Sequence, residues 1–385
     1  MKYFILLCDG AADEPLKELG EKTPLEYAHT ENMDRIAGGF TGMVRNVPQG
    51  MEPASDIANM SILGYDPKKY YTGRAPLELA ARNIPLKEND AAYRCNFVTI
   101  ENGVMKDYSA GHLSTEESEK LVAVLNENTD SGWCFFPGVS YRNSLIWEGG
   151  DVVSTTPPHD ISDKHILPFL PKGELLMVME KVHPLLRNHP VNLRRRKKKL
   201  NEANYIWLWG GGKKPSFPPF KEKFKKTGAM VSAVDLMRGI ARLIGFKVMD
   251  VEGATGFIDT NYKGKVEAAF KALEDVDLVY IHVEAPDEAG HMGDVELKIR
   301  AIELFDKEVV ERVLDFSQDK EVRILLLPDH PTPIALKTHT INPVPFAIWD
   351  SRKDKGKRGL FNEKSGKTMV EEGYRLLPDF LFKEN

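Results

Sequence analysis

Three largely apolar runs of this chain are each followed closely by an aspartate. The runs cover residues 3–8, 278–283 and 323–327, and the aspartates are Asp9, Asp287 and Asp329. Runs of this length are typical of strands buried on both faces of a parallel sheet. Ligands of such sheets bind beyond the carboxyl ends of the strands. We therefore predict that the three aspartates meet at one edge of one sheet.

The pattern of the remaining chain separates its two ends from its middle. Apolar residues recur at helical spacing from Val295 to Val313, which predicts a helix packed on the sheet. Between residues 86 and 200 the pattern changes to strand-like runs, one helix at 115–125 and proline-rich connections. We predict an α/β core with a largely parallel sheet, formed by residues 1–85 and 201–385. Residues 86–200 are predicted to form an inserted, smaller α+β domain, and the apolar run 205–209 to return to the first sheet.

Composition and charge favour a small-molecule partner. The chain has 385 residues and a formal net charge of -5, so no electrostatic argument supports binding to nucleic acid. Its three cysteines, Cys8, Cys95 and Cys134, are far apart and predict neither a disulfide framework nor a thiolate cluster. The basic run 194–199 is typical of a solvated surface. No apolar stretch predicts a membrane span or an export signal, and we expect a cytoplasmic protein.

Histidines near two of the aspartates complete a predicted metal site. Asp287 and His291 are four residues apart, which places both on one face of a helix, although an exposed helix start gives the same spacing. His330 directly follows Asp329, and Pro331 prevents immediate helical continuation. The full donor set is Asp9, Asp287, His291, Asp329, His330 and His339. This mixture of oxygen and nitrogen suits zinc, manganese or magnesium-like ions, and two such ions would clamp a phosphoryl displacement.

Ser55 is the candidate nucleophile. It lies where a proline-rich loop gives way to a helix-like stretch, so its hydroxyl is expected at a helix N-terminus that favours a phosphate. A serine at this place is also the commonest helix N-cap, and the local sequence leaves both interpretations open. The nucleophilic role requires metal coordination to activate the hydroxyl.

These motifs together resemble a known family. Asp9-Gly10, the segment 53–56, Tyr70 to Arg74, the segment 287–291 and Asp329-His330 resemble the archaeal-type cofactor-independent phosphoglycerate mutases of the alkaline phosphatase superfamily. The resemblance runs through nearly the whole chain. It implies an alkaline phosphatase-like fold in which one metal ion is held by Asp9, Ser55, Asp329 and His330. The second ion would be held by Asp287, His291 and His339.

The resemblance also implies a reaction. Ser55 would take the phosphoryl group of 3-phosphoglycerate and return it to the other hydroxyl, giving 2-phosphoglycerate. The cofactors would be two divalent ions, Mn or Mg with Zn or Co as alternatives, and no 2,3-bisphosphoglycerate. The inserted domain would act as a lid on the substrate. Its candidate substrate-binding residues, together with a lysine that follows it, are Arg94, Arg142, His159, Asp160 and Lys213.

Other functions stay open at this stage. Ala54 stands where the family commonly has glycine, and Asn59 where histidine is usual. With Pro157 to Asp160, these features resemble a bacterial branch often labelled as a proposed homoserine kinase, which implies ATP-dependent transfer. The chain has no Gly-x-x-x-x-Gly-Lys-Ser/Thr loop for a nucleotide. A phosphohydrolase and a binding protein that lost its chemistry are further alternatives, and no motif indicates the oligomeric state.

Overall fold

The computed structural model describes residues 1–366 and 368–383, which form two compact units. Unit 1 comprises residues 1–71 together with the described residues from 217 onward, and unit 2 comprises residues 72–216. The insertion therefore begins earlier and ends later than the predicted 86–200. Among the described residues, no helix is both long and apolar enough to cross a bilayer.

The described residues form thirteen strands and fifteen α-helices, which are numbered in chain order. The strands are β1 Lys2–Cys8, β2 Phe40–Val44, β3 Ala91–Glu101, β4 Val104–Asp107, β5 Trp133–Val139, β6 Arg142–Trp147, β7 Tyr205–Lys213, β8 Gly228–Val231, β9 Lys247–Met249, β10 Leu278–Val283, β11 Val322–Leu327, β12 Val344–Asp350 and β13 Thr368–Val370. The helices are α1 Pro24–Tyr27, α2 Glu31–Ile36, α3 Ser55–Ile62, α4 Pro67–Tyr70, α5 Arg74–Ala81, α6 Thr115–Asn128, α7 Glu174–Asn188, α8 Pro190–Lys197, α9 Phe220–Phe224, α10 Asp235–Leu243, α11 Tyr262–Ala272, α12 Ala285–Met292, α13 Val295–Phe305, α14 Glu311–Phe316 and α15 Leu376–Phe382. A π-helical turn at Asp306–Val310 joins α13 to α14, so the predicted helix from Val295 to Val313 is confirmed.

Unit 1 is built on an eight-stranded sheet in the order β13-β2-β12-β11-β1-β10-β8-β9. Strand β1 lies between β10 and β11 and runs parallel to both, with Leu7 opposite His282 on one side and Leu327 on the other. Among the described strands of this sheet only β12 runs in the opposite direction. The predicted α/β class with a largely parallel sheet is confirmed.

Helices cover both faces of this sheet. Phe4 of β1 packs edge-on against Phe270 of α11 and Phe316 of α14. The next residue toward the N-terminus, Tyr3, packs against Phe380 of α15. Because consecutive strand residues point to opposite faces, these contacts show helices on both sides. Double coverage explains why the central strands are largely apolar and do not alternate with polar residues.

Unit 2 contains its own five-stranded sheet. Its strands follow the order β4-β3-β6-β5, and β7 also pairs with β3. The prediction that the run 205–209 returns to the first sheet is wrong, because β7 is antiparallel to β3 from Tyr205 opposite Val98 onward. Within the basic run, Arg195 is buried and pairs with Glu117, whereas its neighbours are exposed as predicted.

Candidate metal centre

The sheet of unit 1 brings three carboxylates to one edge. Asp9 follows β1, Asp329 follows β11, and Asp287 lies in the first turn of α12, directly after β10. Gly10 allows this approach, because a Cβ at Gly10 would lie 2.7 Å from the Asp287 Cα atom and the residue has φ +61°. The backbone N–H of Gly10 donates to Asp329 Oδ1 at 3.1 Å. The strand ends therefore assemble one acidic cluster.

The most buried part of the cluster is formed by Asp9, Asp329 and His330. The Nε2 atom of His330 lies 3.3 Å from Asp329 Oδ2 and 3.8 Å from Asp9 Oδ1. These side chains are 0–2% exposed. One potential ligand atom from each of the three residues lies within 4.8 Å of the others. A single cation fits among atoms at these separations.

A second set of donors lies beside the first and is more open. Asp287 Oδ2 lies 3.2 Å from His291 Nε2, and Asp287 Oδ1 lies 3.4 Å from His339 Nε2. The two imidazoles are 2.9 Å apart between their Nε2 atoms. His330 also belongs to this set, since its ligand atom lies within 4.8 Å of those of Asp287 and His339. Exposure rises to 35% at His291, so this side of the cluster faces solvent.

Ser55 points into the same cluster. It is the first residue of α3, and its Oγ lies 3.1 Å from His330 Nε2. Ala54 holds the N-cap position, with no side-chain hydrogen bond to the helix. The interpretation of Ser55 as an N-cap is therefore wrong, whereas its predicted place at a helix N-terminus is observed.

The electrostatics of the cluster favour a cation. Burial and the neighbouring carboxylate of Asp329 raise the pKa of Asp9 well above its ordinary value. Burial would also raise the pKa of Asp287, but hydrogen bonds from His291 and His339 hold it well below its usual range. Asp9 Oδ1 is buried without a hydrogen-bond partner among the described residues. A buried carboxylate oxygen without a donor is costly, so this donor set fits a divalent metal ion.

Unit 2 gathers a different set of predicted residues. Arg94 is buried, pairs with Glu78 at 3.0 Å, and lies 4.0 Å over the ring of Trp209. The ring of His159 lies 5.5 Å from the same indole, and Asp160 is 3.6 Å from His159 Nε2. The Arg94 and His159 side chains thus lie around one aromatic residue, with Asp160 beside His159.

Arg142 and Lys213 have different surroundings. Arg142 is exposed at the start of β6 and lies opposite Asn96 of β3, two residues from Arg94. Lys213 is opposite Ala91, and its Nζ donates to the carbonyls of Asn89 and Gly150. Arg142 and Arg94 therefore lie near each other on adjacent strands. The Lys213 ammonium group is hydrogen-bonded to two backbone carbonyls.

Comparison with known proteins identifies the family. The family model described as 2,3-bisphosphoglycerate-independent phosphoglycerate mutase matches residues 37–192. A protein of that name from Methanothrix thermoacetophila is 54% identical over 355 residues, covering 90% of each chain. The chain belongs to the 2,3-bisphosphoglycerate-independent phosphoglycerate mutase family. The family resemblance noted from the sequence motifs is confirmed.

Solved structures agree with this family membership. A protein of Pyrococcus horikoshii matches with 31% identity and a TM-score of 0.83, covering 100% of this chain and 98% of its own. A cofactor-independent phosphoglycerate mutase from Thermoplasma acidophilum matches with 26% identity and a TM-score of 0.68, covering 99% and 100%. The names of the Methanothrix and Thermoplasma relatives favour the mutase family over the homoserine kinase alternative.

Two residues that contact the proposed metal ligands of this mutase-family chain were not predicted from the sequence as parts of the site. His282 lies within β10, and its Nε2 is 2.6 Å from Asp9 Oδ2. Asn59 donates from Nδ2 to Asp329 Oδ2 and to the Ser55 carbonyl, both at 2.9 Å, and accepts from the Tyr280 hydroxyl. For His282, the sequence signal was a polar residue inside an apolar strand, because a buried imidazole requires hydrogen-bond partners.

Proposed function

We propose that this protein interconverts 3-phosphoglycerate and 2-phosphoglycerate through a phosphoserine at Ser55, without 2,3-bisphosphoglycerate. The observation that carries the proposal is the Ser55 hydroxyl, which lies 3.1 Å from His330 inside a cluster of carboxylates and imidazoles. Membership of the mutase family supports the substrate. The partner is then a small phosphorylated molecule, and a cytoplasmic location stays a prediction from the sequence.

Two divalent ions are proposed as cofactors. Asp9, Ser55, Asp329 and His330 would hold one ion, and Asp287, His291 and His339 the other. The unpartnered Asp9 Oδ1 supports the first assignment. Such ions, Mn or Mg with Zn or Co as alternatives, would lower the pKa of a bound hydroxyl and neutralise charge on the phosphoryl oxygens.

The steps of the proposed phosphoryl transfer follow from the position of Ser55. The Ser55 oxygen attacks phosphorus, the bond from phosphorus to the 3-oxygen of glycerate breaks, and the proton lost by the serine is balanced by the one gained at that oxygen. The glycerate turns, and its 2-oxygen attacks the phosphorus of the phosphoserine. The bond from phosphorus to the Ser55 oxygen breaks, the 2-hydroxyl loses its proton, and the serine oxygen gains one. The N-terminus of α3 presents backbone N–H groups to the phosphoryl oxygens.

Unit 2 is proposed to contribute substrate-binding residues. A buried guanidinium such as that of Arg94 is suited to bidentate recognition of a carboxylate. Arg142, His159 and Asp160 are proposed to bind the same molecule. Lys213 has a weaker case, because its ammonium group already donates to two carbonyls. Retention of glycerate without hydrolysis distinguishes the mutase from a phosphohydrolase.

Phosphorus NMR tests this function. Purified protein with Mn²⁺ and 3-phosphoglycerate, without ATP or 2,3-bisphosphoglycerate, is expected to accumulate 2-phosphoglycerate. Ser55→Ala is expected to abolish that signal, while Ser61→Ala, a buried serine on the same helix, is expected to keep it. Free phosphate as the only product would identify a hydrolase. An unchanged spectrum that becomes productive with ATP and homoserine would establish the kinase.

A further inference from the structure

His282 is a buried histidine with both ring nitrogens engaged. It lies in β10, is 1% exposed, and has no proposed part in the reaction. Its Nε2 lies 2.6 Å from Asp9 Oδ2, and its Nδ1 lies 2.9 Å from the Ser232 hydroxyl. The backbone carbonyl of the same residue accepts from the Lys265 ammonium at 3.2 Å. Both the strand and the ring are therefore held in place.

The neighbours of the ring fix the direction of each hydrogen bond. The Asp9 carboxylate, as a proposed metal ligand, can only accept a hydrogen bond, so Nε2 is the donor and Nδ1 of a neutral ring accepts from the Ser232 hydroxyl, whose Oγ in turn accepts from the Val234 N–H at 3.0 Å. A neutral imidazole carries one N–H, so the hydrogen is then on Nε2 and is donated to Asp9 Oδ2. The chain of donors runs one way, from Val234 through Ser232 and His282 to Asp9.

The two carboxylate oxygens of Asp9 therefore have different environments. Oδ2 accepts the histidine hydrogen, whereas Oδ1 has no hydrogen-bond partner among the described residues. Oδ1 is the oxygen that faces His330, with 3.8 Å to its Nε2. Oδ2 is thus held by His282, and Oδ1 is directed toward His330, another proposed metal ligand.

We propose that His282 is a positioning residue of the metal centre, which fixes the Asp9 carboxylate so that Oδ1 is presented to the ion. The inference rests on the proposed function in assuming that Asp9 is a metal ligand. Partners of this kind orient ligands in metalloproteins, and their loss typically lowers metal affinity. His282 would act through Asp9 and would not itself contact ion or substrate.

Two substitutions separate the positioning role from simple burial. His282→Gln places an amide nitrogen near the position of Nε2 and retains the donor to Asp9. His282→Asn is shorter, reaches only the position of Nδ1, and removes the donor. Calorimetric titration of EDTA-treated full-length protein with Mn²⁺ is the readout, and circular dichroism checks that each variant is folded. We expect His282→Asn to weaken Mn²⁺ binding by about 10- to 100-fold and His282→Gln to restore most of it.

Ser232→Ala provides a second variant if His282→Asn does not fold. It removes the hydroxyl that donates to the ring, and we expect weaker Mn²⁺ binding than in Ser61→Ala, which deletes a buried hydroxyl with no hydrogen-bond partner in the described part of the chain. Equal Mn²⁺ affinity in folded His282→Asn and wild type, or in the two serine variants, would overturn the inference and leave the metal centre intact. Wild-type protein that binds no Mn²⁺ would overturn the metal centre and the inference with it.

Discussion

At the level of single residues, Gly10 decides how closely two proposed ligands approach. Its φ of +61° and its contact with Asp287 leave no space for a side chain. Gly10→Ala is expected to push α12 away from β1 and to separate Asp287 from Asp9. We predict at least about tenfold weaker Mn²⁺ binding, similar to the loss of a ligand-orienting residue, measured by calorimetry.

Gly20→Ala is the matched control for this substitution. Gly20 has nearly the same backbone conformation, with φ +67°, but a Cβ there would meet nothing within 4 Å. Both substitutions carry the cost of a left-handed backbone, so only the steric contact differs. Equal Mn²⁺ affinity in the two variants would show that the close approach at Gly10 is unimportant.

Sequence patterns predicted some residues of the cluster and not others, for a physical reason. Asp9 and Asp329 stand at the boundary between an apolar run and a loop, and such a boundary can be read directly from the sequence. His282 lies within an apolar run, and its partners Asp9 and Ser232 come from other strands or loops. A contact between residues distant in sequence leaves no local pattern, so this role appeared only with the fold.

At the level of elements, a buried lysine of α13 connects the loop after β1 with the loop after β11. Lys298 Nζ donates to Asp13 Oδ2 at 2.7 Å and to the Thr332 carbonyl at 2.8 Å. The Thr332 hydroxyl in turn donates to Asp287 Oδ1. The Lys298 and Asp13 side chains are both 0% exposed. This network links the helix to the loops that follow β1 and β11.

Removing one partner of this pair should be costly. Lys298→Met leaves the Asp13 carboxylate buried without its cation, and we predict a loss of about 3–5 kcal/mol in the free energy of unfolding. Urea denaturation followed by circular dichroism measures it. Lys120→Met, which removes an exposed pair with Glu116 on α6, is the control and should leave stability essentially unchanged. A Lys298→Met protein as stable as wild type would refute the structural role of the pair.

The strand pairings show a similar limit of sequence information. The apolar runs of β1, β10 and β11 predicted strands of one buried parallel sheet, because double coverage by helices leaves no alternation. The run of β7 is equally apolar, yet it pairs with β3 in unit 2. Apolar character indicates that a strand is buried but does not specify its partner, so the domain boundary could not be placed from the pattern.

At the level of the whole molecule, the donor cluster should couple metal binding to folding. The unfolded chain does not hold Asp9, Asp287 and Asp329 together, so an ion that binds only the folded state stabilises it. At a Mn²⁺ concentration 100 times the dissociation constant, we predict a gain of about 2.7 kcal/mol in the free energy of unfolding. Calorimetric melting with EDTA or with Mn²⁺ measures the change.

Asp329→Asn is the control for metal-linked stability. It keeps the shape of the side chain but removes its charge, and the Mn²⁺-dependent rise in melting temperature should shrink. A wild-type melting temperature that does not respond to Mn²⁺, Mg²⁺, Zn²⁺ or Co²⁺ would contradict a divalent metal centre at this edge of the sheet.

The phosphoryl group on Ser55 can be sought directly. Protein with Mn²⁺ and 3-phosphoglycerate would be quenched in acid within milliseconds, digested, and mapped by mass spectrometry for one added phosphoryl group. We predict phosphorylation on the peptide that contains Ser55, and none on that peptide in Ser55→Ala. Formation of 2-phosphoglycerate with no phosphorylated peptide at any time, or with the group on another residue, would contradict transfer through Ser55.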